Sequence, residues 1–504
     1  MNNTTETLNT EEVTPAGTKR KKSSFAGNVL KIVSGTAFAQ VIGVAALPVI
    51  TRLFSPEAFG ILGVFGAILS VMAKVICLRY DYAIVVAKSD SDAANLYWVS
   101  FGITLIWTIF AVLLVYFFSD SIAQMVNAPA LAPFLWLLPI GLFIKGILTI
   151  HQHWNTRRAE FGRLAKIQVT NAFVKNGGKL GAGFGGFVSG GSLIMADLSG
   201  SLAAAGLLGK KIWSEDRSVL NRGISFKRMG ELIKEHSNIS VFNSSSSLFN
   251  TISIKAPLVL LGIFFNPVIV GFYVLGHKVL KIPVNLVGKS VRKVFFQRAS
   301  KDWNEKGDLS KITNEVAGRL VVLSMGAMTL MISLVAPLTE FIFGEGWEVA
   351  GSYMQWLTLA VGMSFVTTPI LSINTILHKE QYTLYFQSSA FVMRITALLI
   401  GGLIIANAHI TIALYSSVSF LYYLGLFSFL LYISKCDIYN FVKEKILLLT
   451  ISLIVEGCAI YMENNGTDLI YLISISMIYG LSFIYLSWNY IKDLYQRFNI
   501  KKLL

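Results

Sequence analysis

The chain is a train of apolar runs, each close to the length that crosses a lipid bilayer. They fall near 30–53, 58–78, 94–118, 131–150, 167–188 and 192–213, then near 239–264, 268–288, 318–338, 353–377, 384–406 and 409–433, with a last pair near 446–462 and 469–490. At about 20 apolar residues per spanning helix, this predicts about 14 spans. Hydrocarbon offers backbone amides no water, so such spans are helices that satisfy their own N–H and C=O groups. The expected class is an all-α polytopic membrane protein. Composition agrees: 14% of the residues are charged, against about 25% in soluble domains. The weakest run is 167–188, where six glycines crowd beside Lys175 and Lys179. It is kept because dropping it reverses every span downstream.

Loop charge sets the orientation. Alternate connections carry Arg79 and Lys88; Arg157, Arg158, Arg163 and Lys166; the stretches 210–234 and 289–311; then Lys379, Lys435, Lys443, Lys445 and a basic tail. The other connections are short and acidic, with Asp120, Glu340, Glu345, Glu348, Glu463 and Asp468, and Arg52 as their one clear cation. Cytoplasmic loops are the ones enriched in Lys and Arg, so both termini are expected in the cytoplasm. The formal net charge of +15 therefore punctuates spans and does not predict nucleic-acid binding. Cys77, Cys436 and Cys458 are scattered in or near apolar runs and imply no disulfide framework.

One turn occurs twice. Leu47–Gly60 (LPVITRLFSPEAFG) contains Phe54-Ser55-Pro56 and Gly60; Phe265–Gly271 (FNPVIVG) repeats the pattern as Phe, cap residue, Pro, three residues, Gly. Ser55 and Asn266 suit a helix N-cap, and Pro56 and Pro267 suit the first helical position. Each copy sits at the first outer hairpin of a six-span set, so both sets enter from the same side. The expected organisation is a tail (1–29), a six-helix lobe (30–213), a cytoplasmic linker (214–238), a second six-helix lobe (239–433), and two extra helices with a basic tail (434–504). Parallel repeats of this kind occur in transporters that rock two bundles around a central site.

Ionisable side chains at membrane depth cost a few kcal/mol each and usually face a cavity or a partner. Here they are mostly cationic. Lys145 lies in the fourth span, Lys175 and Lys179 one turn apart in the fifth, Lys255 in the seventh, Lys278 and Lys281 beside His277 in the eighth, and Arg394 in the eleventh. Asp197 in the sixth span is the candidate ion-pair or coupling acid. Lys74, within a turn of a span end, reads as snorkelling to the surface. Many cations with few acids describe a cavity awaiting an anion. The run Asn238–Ser253, with Asn243, Ser246 and Asn250, could form a polar wall that hydrogen-bonds sugar hydroxyls or could pack helices through small polar residues. Arg52 is either a lipid-headgroup contact or an exit-side partner for the same anion.

Other patterns carry less. Gly181–Gly186 (GAGFGG) lies within a span with no strand before it, which suits close helix packing and not a dinucleotide loop. His151-Gln152-His153 reads as a loop without a third metal ligand or a neighbouring acid. No P-loop and no nucleophile–base set stands out, so no metal, no cofactor and no enzyme activity is expected.

The segment LPVITRLFSPEAFGILGVF, followed by LRYDYAIVVAKSDSDAANL (Leu78–Leu96), and the block Leu261–Ser300 with GFYVLGHKVLKIPVNLVGKSVRKVFFQRAS, resemble the polysaccharide flippase family. These are the Wzx-like O-antigen and capsule-repeat exporters of the multidrug/oligosaccharidyl-lipid/polysaccharide superfamily. The resemblance runs from about Phe25 through the twelfth span and loosens in the last pair. It implies a V-shaped pair of six-helix lobes in the bacterial inner membrane, alternating access to flip an undecaprenyl-pyrophosphate-linked oligosaccharide. It also implies a cationic central cavity, contact with membrane lipid, and a polysaccharide polymerase and chain-length regulator as candidate partners. By analogy with the lipid II flippase, the last two helices are expected to form a groove for the lipid tail. The rival readings are a cation-coupled multidrug exporter, which needs cavity carboxylates, and a membrane glycan polymerase or ligase, which usually needs a large outer loop.

Overall fold

Nineteen α-helices up to Asn464, a further helical stretch at Ser476–Tyr485 and no strand occur among the residues that the computed structural model describes, which are 25–221, 223–464, 474 and 476–485. Residues 1–24 of the predicted 1–29 tail and much of the predicted 469–490 span lie outside them. So do the side chains at 237–247, among them Asn243 and Ser246.

The first half contains α1 (Phe25–Leu53), α2 (Pro56–Met72), α3 (Tyr80–Val86), α4 (Asp90–Met125), α5 (Ala132–Leu135), α6 (Leu137–Arg157), α7 (Phe161–Phe184) and α8 (Gly190–Asn221). A short amphipathic helix, α9 (Phe226–Glu235), leads to α10 (Ser237–Phe264), α11 (Pro267–Pro283) and α12 (Lys289–Lys306). Then come α13 (Ser310–Phe343), α14 (Glu348–Ile370), α15 (Ile373–Ile376), α16 (Glu380–Leu399), α17 (Ala408–Ile433), α18 (Ile438–Lys443) and α19 (Ile446–Asn464). Eight helices among the described residues are long and apolar enough to cross a membrane, and nine if the bent pair Pro129–Leu135 and Leu137–Arg157 counts as one. Four shorter apolar helices accompany them, at Pro56–Met72, Leu248–Phe264, Ile446–Cys458 and Ser476–Tyr485. The glycine-rich segment that was weakest in sequence is the continuous helix α7, packed between α1 and α8.

Two predicted details change. The second run does not stay helical to 78. α2 ends at Met72, and the chain turns through Leu78 and Arg79, both at positive φ. His151 and His153 are not in a loop but in α6, whose pitch carries them onto neighbouring helices. The His151 ring nitrogens lie 3.1 Å from Tyr97 Oη and 3.0 Å from the Ala205 carbonyl, and His153 Nδ1 lies 3.2 Å from an Asp81 oxygen. An acid is therefore beside this pair after all, yet no group of three metal-ligating side chains forms among the described residues.

The long helices run up and down, which gives the molecule two ends. One end holds the Leu53–Pro56 and Phe264–Pro267 turns; the other holds the basic connections. At the basic end Arg157 and Arg158 both reach Asp90, Arg158 also reaches Asp216, and Arg228 of α9 reaches Asp92 at 2.8 Å. These pairs tie α4, α6, α8 and α9 together.

At the turn end the two halves meet along a tight seam. Ser55 Oγ accepts the Ala58 N–H at 3.3 Å, and Asn266 Oδ1 accepts the Ile269 N–H at 3.1 Å, so both copies of the repeated turn start a helix with the same cap and Pro next to it. The two helices then cross each other, α2 on α11. A β-carbon on Gly60 would overlap the Pro267 carbonyl oxygen, and one on Gly271 would overlap the Pro56 carbonyl oxygen. Only glycine permits that approach. Around the crossing, Trp347 Nε1 donates to Thr51 O at 2.9 Å, and Asn127 Nδ2 donates to Ile263 O at 2.7 Å. Phe59 and Phe272 present their rings edge-on to Trp347. The turn end is closed by backbone and aromatic contacts between halves.

Candidate functional site

Below the seam, the space between helices is lined by polar and cationic groups. α7 and α8 approach closely because their facing positions are small. A β-carbon on Gly200 would sit 2.8 Å from the Asn171 carbonyl oxygen, and one on Gly178 would sit 3.3 Å from Ala196 Cβ. That contact brings Asp197 of α8 between two lysines of α7. Lys175 Nζ donates to Asp197 Oδ2 at 2.9 Å, and Lys179 Nζ forms a salt bridge to Oδ1 at 2.7 Å. The two lysines share a face in sequence but not a situation. Lys179 is 5% exposed, whereas the Lys175 side chain is 35% exposed and reaches open space. Lys145 of α6 donates to Ser201 Oγ at 3.1 Å, one turn along α8 from Asp197.

Two cavities adjoin here and share Asn171 and Lys175. One, of about 400 Å³, lies among α2, α6, α7 and α8 and is lined by Lys74, Lys145, Lys175, Asp197 and Ser201. The other, of about 490 Å³, lies between the halves, where α1 and α7 face α11; Gln40, Gln168, Asn171, Lys175, Lys278 and Asn285 line it. Lys278 thus comes from the second half into space bounded mostly by the first. Asp197 is the one carboxylate among the described residues lining either cavity. Thr36 donates to Gln168 Oε1 at 2.8 Å, and Gln40 Oε1 is buried with no hydrogen-bond partner among the described residues. A carbonyl oxygen so placed suits a hydroxyl or amide donor of a ligand.

The remaining cations sit elsewhere. Lys281 of α11 donates to Ser364 Oγ of α14 at 2.9 Å. Arg394, 8% exposed, donates from Nε to Ser419 Oγ at 2.9 Å, with Tyr422 and Tyr423 ring centroids 5.1 and 5.5 Å from its guanidinium carbon. Neither lines the two cavities. Lys255 lines a separate apolar groove among α2, α10 and α16. Asn250 is exposed. Arg52 is also exposed, and its Nη2 donates to the Phe341 carbonyl at 2.8 Å across the seam.

Sequence reasoning passed over Gln40, Asn171 and Ser201, and gave Lys74 to the surface. The available signal was four-residue spacing of polar groups in apolar runs: Thr36 with Gln40, Asn171 with Lys175, Asp197 with Ser201. Lys74 lines the cavity because α2 stops two residues before it.

The sequence signature of the polysaccharide biosynthesis protein family matches residues 49–352. The chain belongs to that family. Within it, the chain is 22% identical over 308 residues to the teichuronic acid biosynthesis protein TuaB of Bacillus subtilis (strain 168), covering 60% of this chain and 61% of TuaB, so it spans under two thirds of that relative. It is 21% identical over 386 residues to the lipopolysaccharide biosynthesis protein WzxC of Escherichia coli (strain K12), covering 74% of this chain and 75% of WzxC. In three dimensions this family member resembles the lipid II flippase MurJ in an inward closed conformation, with a TM-score of 0.70 at 16% identity over 92% of this chain and 99% of MurJ. It resembles an inward-facing multidrug resistance MATE transporter of the MOP superfamily with a TM-score of 0.59 at 12% identity, over 81% of this chain and 95% of that one. The fold of this polysaccharide biosynthesis protein is thus the helical transporter fold of MurJ and MATE proteins.

Proposed function

We propose that this protein is a flippase that moves an undecaprenyl-pyrophosphate-linked oligosaccharide repeat unit across the bacterial inner membrane for surface polysaccharide assembly. The reading is transport and not catalysis. Two lobes, 30–213 and 239–433, alternate access around the joined cavities, with 214–238 as linker and 434–504 as an accessory pair of helices and tail. The basic end and both termini face the cytoplasm, and a polysaccharide polymerase and a chain-length regulator are the expected partners.

One observation carries the proposal. Lys74, Lys145, Lys175 and Lys278 converge on cavities whose one lining carboxylate, Asp197, is already engaged by Lys175 and Lys179. That surplus positive charge, partly desolvated, suits a pyrophosphate. The amides of Gln40, Gln168 and Asn171 suit glycan hydroxyls. An inside-negative potential favours outward movement of the anion by about 2.3 kcal/mol per charge per 100 mV. A cation-coupled drug exporter needs a carboxylate free to hold its cation, and Asp197 is not free.

The test is flipping of a fluorescent lipid-linked sugar pyrophosphate in proteoliposomes, alongside a deletion strain. Wild-type protein is expected to flip the lipid, and the deletion strain to trap repeat units on the cytoplasmic face. Lys175→Ala and Lys278→Ala are expected to slow flipping at equal protein level. Translocated but unpolymerised units in the deletion strain would overturn the proposal in favour of a polymerase.

A further inference from the structure

The cleft between the two halves has two flanks of opposite chemistry. Where α1 and α7 face α11, the wall is polar, with Gln40, Asn171, Lys278 and Asn285. Where α2 faces α10 and α16, it is an apolar groove of about 410 Å³, formed by Ile68, Met72, Val259, Leu260, Phe391 and Ile395. Among the described residues the only charged one at that groove is Lys255, whose aliphatic stem faces the groove and whose ammonium has no ion pair or hydrogen-bonded partner among them. Lys255 stands nine residues before the end of α10, hence about 13 Å from the turn end. That depth is far from either end of a bilayer-spanning helix, where an unpaired lysine is costly unless an anion meets it. An apolar slot with a single cation at its lip is complementary to one kind of molecule: a hydrocarbon chain joined to a phosphate.

We propose that the α2–α10–α16 groove is the seat of the substrate's polyprenyl chain, with the first isoprene units against Ile68, Val259 and Ile395 and the adjoining phosphate on Lys255. The inference rests on the flippase reading and adds to it which flank the chain uses. The headgroup occupies the polar cavities on one side of the cleft while the tail leaves through the other. The tail path is then part of the interface between the halves, and not the separate surface groove expected of the last two helices.

Binding to purified full-length protein tests this with two probes, farnesyl pyrophosphate and inorganic pyrophosphate. Filling the groove by Ile68→Trp or Val259→Trp is expected to weaken farnesyl pyrophosphate at least about ten-fold, the loss of some two buried methylenes, and to leave inorganic pyrophosphate unchanged. Lys255→Met is expected to weaken the farnesyl probe more than inorganic pyrophosphate. A diazirine-bearing polyprenyl pyrophosphate on the unmodified protein supplies a readout independent of variant folding, with crosslinks expected on 67–72 and 252–260. Crosslinks on α1 and α11, unchanged farnesyl binding in both tryptophan variants, or equal displacement by phosphatidylglycerol would each overturn the groove assignment. If the wild-type protein bound neither probe, the flippase reading itself would fail.

Discussion

Both halves of the molecule bury cations, and they hold them in different ways. In the first half Lys175 and Lys179 share one carboxylate, Asp197, and Lys175 and Lys145 reach open cavities. In the second half Lys281 and Arg394 are held by the hydroxyls of Ser364 and Ser419 and, for Arg394, by the faces of two tyrosines. Hydroxyls and π-faces steady a cation without neutralising it. A carboxylate neutralises one charge and leaves the rest of the cluster in excess. The first arrangement can exchange its partner for another anion; the second is packed against its own walls. On geometry alone, the first-half cluster faces open cavity and the second-half cluster organises α11, α14, α16 and α17.

The comparison is sharpest at Asp197. Asp197→Ala strands the buried Lys179 ammonium and is expected to cost about 3 kcal/mol, read as a lower Tm, with part of the loss restored by added pyrophosphate. The triple change Lys175→Ala, Lys179→Ala, Asp197→Ala removes the stranded charge and is expected to melt above Asp197→Ala while binding pyrophosphate poorly. If it melts lower still, the cluster is held by more than charge pairing. Next in size, Lys175→Ala is expected to weaken pyrophosphate binding about ten-fold, or ~1.4 kcal/mol, measured by calorimetry. Arg394→Met is expected to lower stability by about 1 kcal/mol through lost stacking and hydrogen bonding, with pyrophosphate affinity within about two-fold. A large affinity loss there would break the contrast. Lys281→Met is expected to be the mildest, at most about 1 kcal/mol of stability.

How much of this was legible beforehand depends on what each feature needs. Spans, class and the duplicated turn follow from local composition, because every buried backbone group in a membrane helix is satisfied within the same segment. The cation surplus was equally visible, since so few acids interrupt the runs. What the spacing of Lys175 and Lys179 could not show is which of them faces open space, because that depends on the rotation of α7 against α8, set by Gly178 and Gly200. On α11 the sequence grouped His277, Lys278 and Lys281; the fold sends Lys278 into the cleft, stacks His277 on Tyr273, and bonds Lys281 to Ser364. The reach of Arg52 to the Phe341 carbonyl was hidden because the two residues stand 289 positions apart and meet only where the halves pack together.

The crossing at the turn end has a consequence beyond closure. Pro56 meets Gly271 and Pro267 meets Gly60, while Pro56 and Pro267, and likewise Gly60 and Gly271, are equivalent positions of the repeated turn. One residue touches the equivalent of its neighbour, and that neighbour's equivalent touches back. This reciprocity is the signature of an isologous interface, the kind that joins two identical subunits about a two-fold axis. The protein therefore carries within one polypeptide the contact grammar of a homodimer. Its two copies are free to diverge in the cavity, as their cations have, but at this point each must remain a partner for the other.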